Sequence, residues 1–323
     1  MTPVERTCSD LDPALDALKA DGFRIDVIYP ADEPHTALLS RGSEAVRLTT
    51  RPGAPEPSAA LPPFEPDFIV ARGGEAAAGR AGMRYRDLLP GRLGGRYIAS
   101  HITITEGGPV ADWVHFHRLA VQMIFVRSGW VRVVYEDQGE PFVMEPGDLV
   151  LQPPEIRHRV LESSAGLEVI ELSCPAQHET CADHELELPN AACAAERRFG
   201  GQRFLRHVAA DVPWTEFAGG AAQETGVGDA TGGLADARVI RSDGAARLEF
   251  GPSGGELVFG FVLDGTARLG RGEGFDLTRD MAFAIPPEES WSLDSPSDDF
   301  RLLHVTTAHI DENRLAAANR SPL

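Results

Sequence analysis

The spacing of apolar residues changes along the chain. In LDPALDALKA, residues 11–20, Leu11, Leu15 and Leu18 recur at helical spacing, which predicts one short helix. Asp10 or Asp12 is placed to cap it, and Asp21-Gly22 to stop it. The runs FRIDVIY (23–29), TALLS (36–40) and AVRLTT (45–50) then read as strands. The stretch RPGAPEPSAALPPFEP (51–66) carries six prolines, which excludes continuous helix or sheet and predicts a linker or a wrapping arm. From about residue 96 the pattern is β throughout. RYIASHITIT, VQMIFV, WVRVVYE, PFVM, DLVLQ, HRVLE and LEVIELS are short, rich in β-branched and aromatic residues, and separated by Gly and Pro turns, as in a sandwich or small barrel. A polar, Ala-rich connector (174–200) interrupts them. Strand-like runs resume at RFLRHV (203–208) and continue through ARVIRSD, ARLEF, VFGFVLD, TARLG, MAFAIPP and FRLLHVTT. The tail DENRLAAANRSPL reads as a short helix or a frayed end.

Length and composition narrow the classes. A chain of 323 residues with 42% hydrophobic positions is long enough for two packed domains. Its net charge of −19 repels phosphate backbones and anionic lipid, so neither nucleic acid nor a membrane is expected as partner. No apolar run approaches the roughly 20 residues that span a bilayer. The N-terminal stretch lacks the basic start and apolar core of a secretory signal. Cys8, Cys174, Cys181 and Cys193 are too few and too uneven for a disulfide framework and are expected as reduced thiols of a cytoplasmic protein.

The chemistry concentrates in HFHRLAVQ (115–122) and PGDLVLQPPEIRH (146–158). On a strand, residues i and i+2 share a face, so His115 and His117 present two imidazoles to one space. Gln122 follows a short turn later with an amide oxygen, and His158 returns from a distant strand. Three imidazoles and one oxygen suit a divalent transition metal and leave positions open for water or substrate.

These residues resemble the two motifs of the cupin superfamily. His115-x-His117-x4-Gln122-x6-Gly129 matches the first, with Gln in the usual Glu position and the leading Gly108 one residue out of register. Gly147-x5-Pro153-x-Glu155-x2-His158 matches the second, with Glu155 replacing a Gly and Glu162 the final Asn. The resemblance implies a mainly β protein of two jelly-roll barrels, a bicupin, with His115, His117, Gln122 and His158 as ligands of one divalent metal. Fe²⁺ is the first expectation, with Ni²⁺, Mn²⁺, Cu²⁺ or Zn²⁺ as alternatives. Setting Gly265 against Gly129, and Pro286-Pro287-Glu288 against Pro153-Pro154-Glu155, identifies the second barrel as a repeat. Counting back from there puts Gly251 at His115, Ser253 at His117, Val258 at Gln122 and Trp291 at His158. All four ligand positions are lost, so this barrel is expected to serve stability and assembly.

The expected boundaries are 1–72 for an N-terminal α+β segment with its linker, 73–195 for the metal-binding barrel and 196–323 for the degenerate one. The helix and strands of 11–50 resemble half of a glyoxalase-type βαβββ module, with its first strand missing and no metal ligands in place, which implies a structural role. His101 shares parity with Thr103 and Thr105 and is the first candidate for a base beside the metal; Tyr135, Arg157 and Glu155 rank behind it. Cys174, His178, Cys181 and His184 have zinc-ligand chemistry, but their spacing fits a polar connector. Cupins commonly dimerise through an exposed sheet, and Met123 and Phe125, opposite in parity to Gln122, are candidates for such a homodimer face. The first functional reading is a dioxygenase acting on a small enolisable or hydroxyketone-type substrate held by the metal. A non-redox isomerase, lyase or cyclase, and a non-catalytic small-molecule-binding bicupin, are the alternatives.

Overall fold

The structure is a computed structural model that describes residues 2–54, 60–78, 82–271 and 274–311. The sequence-predicted tail element lies outside the described residues beyond Asp311. The chain is mainly β and forms two barrels with a small α+β unit at the N-terminus.

That unit starts with a strand the hydrophobic pattern does not announce. Val4–Thr7 is exposed along its length and pairs in parallel with Glu44–Thr49. It completes a βαβββ order, so the strand counted as missing is present. Helix Leu11–Ala20 follows; the Asp10 carboxylate accepts from the Asp12 amide at its start, and Leu11, Leu15 and Leu18 pack on Ala37, Leu39, Val46 and Leu48 of the sheet. Strand Arg24–Tyr29 pairs onward with Thr180–Ala182, which pairs with His115–His117. The N-terminal unit therefore extends the sheet that carries the histidines.

The first barrel closes this sheet over a second one made of Met83–Asp87, Ile98–Ile104, Leu167–Cys174, Val121–Ser128 and Leu149–Leu151. Alternation along these strands separates two environments. Ile102, Ile104, Leu167 and Val169 point into the barrel. Ala99, Met123, Phe125, Ile170 and Leu172 point the other way, into a core shared with Phe259, Phe261, Ala282, Ala284, Leu303 and Val305 of the second barrel. Met123 and Phe125, each 2% exposed, are thus covered by the other half of the same chain and offer no face to a second copy. Arg96 crosses the same junction to make a two-pronged, buried ion pair with Glu256 (2.7 and 3.0 Å), to which the Tyr97 hydroxyl donates at 2.8 Å.

The barrels also exchange edges. Ile69–Ala71 pairs with Ala282–Ala284 of the second barrel, and Leu205–His207 pairs with Leu149–Leu151 of the first. The linear boundaries at 72/73 and 195/196 therefore cut across sheets: the segment before the first barrel edges the second, and the start of the expected second domain edges the first. None of the described helices is long and apolar enough to cross a membrane.

Candidate metal centre

His115, His117 and His158 meet inside the first barrel. Strand pairing sets His115 directly opposite His158, and His117 lies two residues along on the same face. Their ring centroids are 4.2, 5.2 and 5.4 Å apart, and one nitrogen from each lies within 4.8 Å of the others. All three are buried. No other cluster of three His, Cys, Asp or Glu side chains with this geometry occurs among the described residues.

The outward nitrogens fix the rings. Nδ1 of His115 lies 2.7 Å from the Trp113 carbonyl, that of His117 3.2 Å from the Glu179 carbonyl, and that of His158 3.0 Å from the Ile156 carbonyl. A carbonyl only accepts, so each Nδ1 carries the proton and each Nε2 carries a lone pair. This arrangement orients imidazoles for a metal, and the residues present fit a divalent cation. Behind His115, the Asp112 carboxylate sits 3.5 Å from Nδ1 and is itself held by the Val160 amide.

Gln122 opens into the same cavity, joined to two side chains that the motif comparison passes over. Gln152 Nε2 donates to Gln122 Oε1 at 3.1 Å and lies 3.2 Å from His158 Nε2, while the Tyr135 hydroxyl donates to Gln152 Oε1 at 2.9 Å. Gln122 Nε2 in turn donates to Glu171 at 3.2 Å. Glu171 therefore turns the amide so that its oxygen points away from the carboxylate. A signal for Glu171 was in the sequence: in LEVIELS, Leu167, Val169 and Glu171 alternate onto the inward face, where a carboxylate is out of character. The cavity has a volume of about 90 Å³, with walls of Ile, Val, Leu and Met and a polar end formed by the histidines, both glutamines, Tyr135 and Glu171.

Other candidates fall elsewhere. Even-numbered Ile102 and Ile104 face the cavity, so His101 faces the second barrel. There its Nδ1 contacts Arg86 at 2.8 Å, its Nε2 contacts Glu168 at 2.9 Å, and its ring meets Phe261 edge-on. Burial and the Arg86 charge lower its pKa. It joins the barrels and does not reach the site as a base. Its parity with Thr103 is real, but that face is the outer one. Arg157 also points away, to Asp183 and over the Phe116 ring. Glu155 lies with Arg118. Cys174, His178, Cys181 and His184 do not converge: His184 pairs with Asp26, and all four cysteines are free thiols.

The second barrel repeats the scaffold without the chemistry. Gly129 and Gly265 both adopt left-handed φ (74° and 72°), and a Cβ on either would meet a serine hydroxyl at 2.4 Å. Phe250 pairs with Trp291 where His115 pairs with His158. Strand register thus puts Phe250, not Gly251, at the His115 position, a one-residue difference that counting through a loop misses. Phe250 and Trp291 stack at 3.8 Å with planes 4° apart, and Phe283 and His304 close around them.

Comparison with known proteins agrees with this architecture. Residues 100–172 match the family model described as a cupin domain, so the first barrel is a cupin domain. The protein Ylba from E. coli superposes with a TM-score of 0.55 at 11% identity, over 76% of this chain and 92% of that one. Oxalate decarboxylase from Bacillus subtilis superposes with a TM-score of 0.53 at 11% identity, over 78% of this chain and 79% of that one. At such identity the likeness is one of fold, that of two-barrel proteins. No curated protein matches the sequence.

Proposed function

We propose that this bicupin is a metal-dependent enzyme acting on a small, enolisable, oxygen-rich substrate, with oxygenative cleavage as the leading reaction. The observation that carries the reading is the convergence of three oriented, buried imidazoles and the Gln122 amide on a cavity with apolar walls. His115, His117 and His158 hold the metal, and Gln122 supplies the oxygen ligand. Such a metal supplies Lewis acidity and, for Fe²⁺ as the preferred ion, reactivity towards O₂. Neutral ligands leave the full dipositive charge in place, whereas a glutamate at position 122 would halve it, so an anionic or readily ionised substrate is favoured.

Glu171 is the base in this reading. It is the one carboxylate lining the cavity among the described residues. It takes the proton from the carbon beside a substrate carbonyl, and the electron pair left behind moves onto the oxygen facing the histidines. The Tyr135 hydroxyl holds Gln152, and the Gln152 amide in turn holds Gln122 at that end, while the hydrocarbon walls exclude bulk water.

A second reading is favoured by the same carboxylate. With Glu171 beside the site, proton transfer alone would support a non-redox isomerase or lyase using no O₂. The two separate in one experiment: a panel of small diketones, hydroxyketones and keto acids is assayed with the iron-loaded and zinc-loaded protein, in air and under nitrogen. Oxygenative cleavage requires iron and air. Turnover that continues under nitrogen assigns the lyase class, and binding without turnover in every arm contradicts an enzyme.

A further inference from the structure

A second cavity adjoins the first behind His117. It has a volume of about 30 Å³ and shares Tyr85, His117 and Glu171 with the larger one. Its far wall is Asp32, from the loop that leaves the N-terminal strand Arg24–Tyr29, and His178, from the connector before Thr180–Ala182. The Ala31 amide donates to the His178 carbonyl at 3.1 Å, so the N-terminal unit is tied to this wall.

The polar atoms on the far wall are acceptors. His178 is 4% exposed, and its Nδ1 lies 3.1 Å from the Pro175 carbonyl, so that nitrogen carries the proton and Nε2 a lone pair. Nε2 is buried with no hydrogen-bond partner. Asp32 gives one carboxylate oxygen to Arg92 at 2.6 Å, and its other oxygen is buried and also without a partner. Glu171 adds a carboxylate on the shared wall. Two unpartnered, buried acceptors on residues that line one small cavity are costly unless a donor reaches them. A bare metal ion does not suit the place, because Asp32, His178 and Glu171 do not form a cluster of metal-ligand geometry. A space of this size holds one ammonium group or about two waters.

We propose that this cavity is a subsite for a hydrogen-bond-donating head group, an ammonium above all, at the far end of the substrate whose near end lies at the three histidines. This deepens the metal-enzyme reading and rests on it. His178 and Asp32 receive the N–H donors, and Glu171 supplies the compensating negative charge, that of Asp32 being matched by Arg92. The N-terminal βαβββ unit thereby gains a role in selecting substrate, through Asp32.

The test uses the full-length, cobalt-loaded protein. β-Alanine and 4-aminobutyrate are titrated calorimetrically against propionate and butyrate, with the cobalt absorption band followed in parallel. The amino acid of fitting length should bind about tenfold or more tighter than the plain carboxylate, as expected for one charge-assisted hydrogen bond. In Asp32→Asn and His178→Phe that advantage, read as the ratio of the two affinities within each variant, should shrink to about threefold or less. Equal binding of both series, or an advantage that survives both variants because the amine sits on the metal, overturns the subsite. In either case a response of the cobalt band to the carboxylates leaves the metal reading standing. Failure to bind cobalt overturns the metal reading and the subsite with it.

Discussion

Where the first barrel sets His115 against His158, the second sets Phe250 against Trp291. The same pair of neighbouring strand positions holds two imidazoles 4.2 Å apart in one case and two stacked aromatic rings 3.8 Å apart in the other. The surroundings follow. Gln122 becomes Val258, Gln152 becomes Ile285 and Glu171 becomes His304, positions matched by identical strand and turn pairings. In the first barrel Ile124 lies across from Val150; in the second, Gly260 lies across from Phe283, and a Cβ at Gly260 would come within 2.2 Å of that ring. One barrel keeps a polar-ended cavity, and the other spends the same interior on aromatic volume. The shared backbone therefore does not make a metal site by itself; a handful of inward residues decides it.

The comparison is broken most severely by exchanging those residues. A His115→Phe/His158→Trp double variant makes the first barrel resemble the second. It should weaken metal binding by about 100-fold or more in a chelator competition while far-ultraviolet circular dichroism stays native, because a barrel this large is held by its core. Loss of the native spectrum would mean that the metal site also holds the fold.

Next in size is Glu171→Gln. It preserves shape and the contact to Gln122, so metal content should hold. Turnover should fall by about 100-fold or more, the range for removing a general base. An unchanged rate would remove Glu171 from the chemistry.

In the second barrel, Gly260→Ala should destabilise the protein by about 1–3 kcal/mol in a denaturant titration, as overpacking does, without altering metal content. Ile124→Gly at the equivalent site should instead leave a cavity, so the two changes sharpen the contrast from opposite directions.

The smallest effect is on pH dependence. Burial pushes the His304 pKa down to about 3 from 6.5. Below pH 6.5 the unfolded chain binds a proton that the folded chain refuses, so His304 costs stability progressively as pH falls from about 6.5 to 3, and nothing above that window. Between pH 6 and pH 4, His304→Phe should lessen the acid loss by up to about 1.4 kcal/mol per pH unit relative to the parent. Identical slopes would show that His304 is protonated in the folded state.

Much of this is legible in the sequence alone. Spacing and Gly/Pro turns located the three histidines, the second barrel and the helix, because strand alternation and helical period are local properties. What escaped was long-range. The exposed strand Val4–Thr7 has no apolar alternation to announce it, since its pairing depends on Glu44–Thr49 more than forty residues away. Parity put His101 and Thr103 on one face, but only the packed second barrel shows which face is interior. Met123 and Phe125 read as an apolar surface awaiting a partner, and the partner is the same chain. The one-residue offset that puts Phe250 at the His115 position lies in a loop, where counting carries no structural information.

Elemental analysis of the purified full-length protein alongside His158→Ala bears most directly on the contrast between the barrels. One equivalent of divalent metal per chain in the parent, and near none in the variant, is the predicted result. Two equivalents in the parent, or one retained by His158→Ala, would place metal somewhere other than the histidine triangle and contradict it.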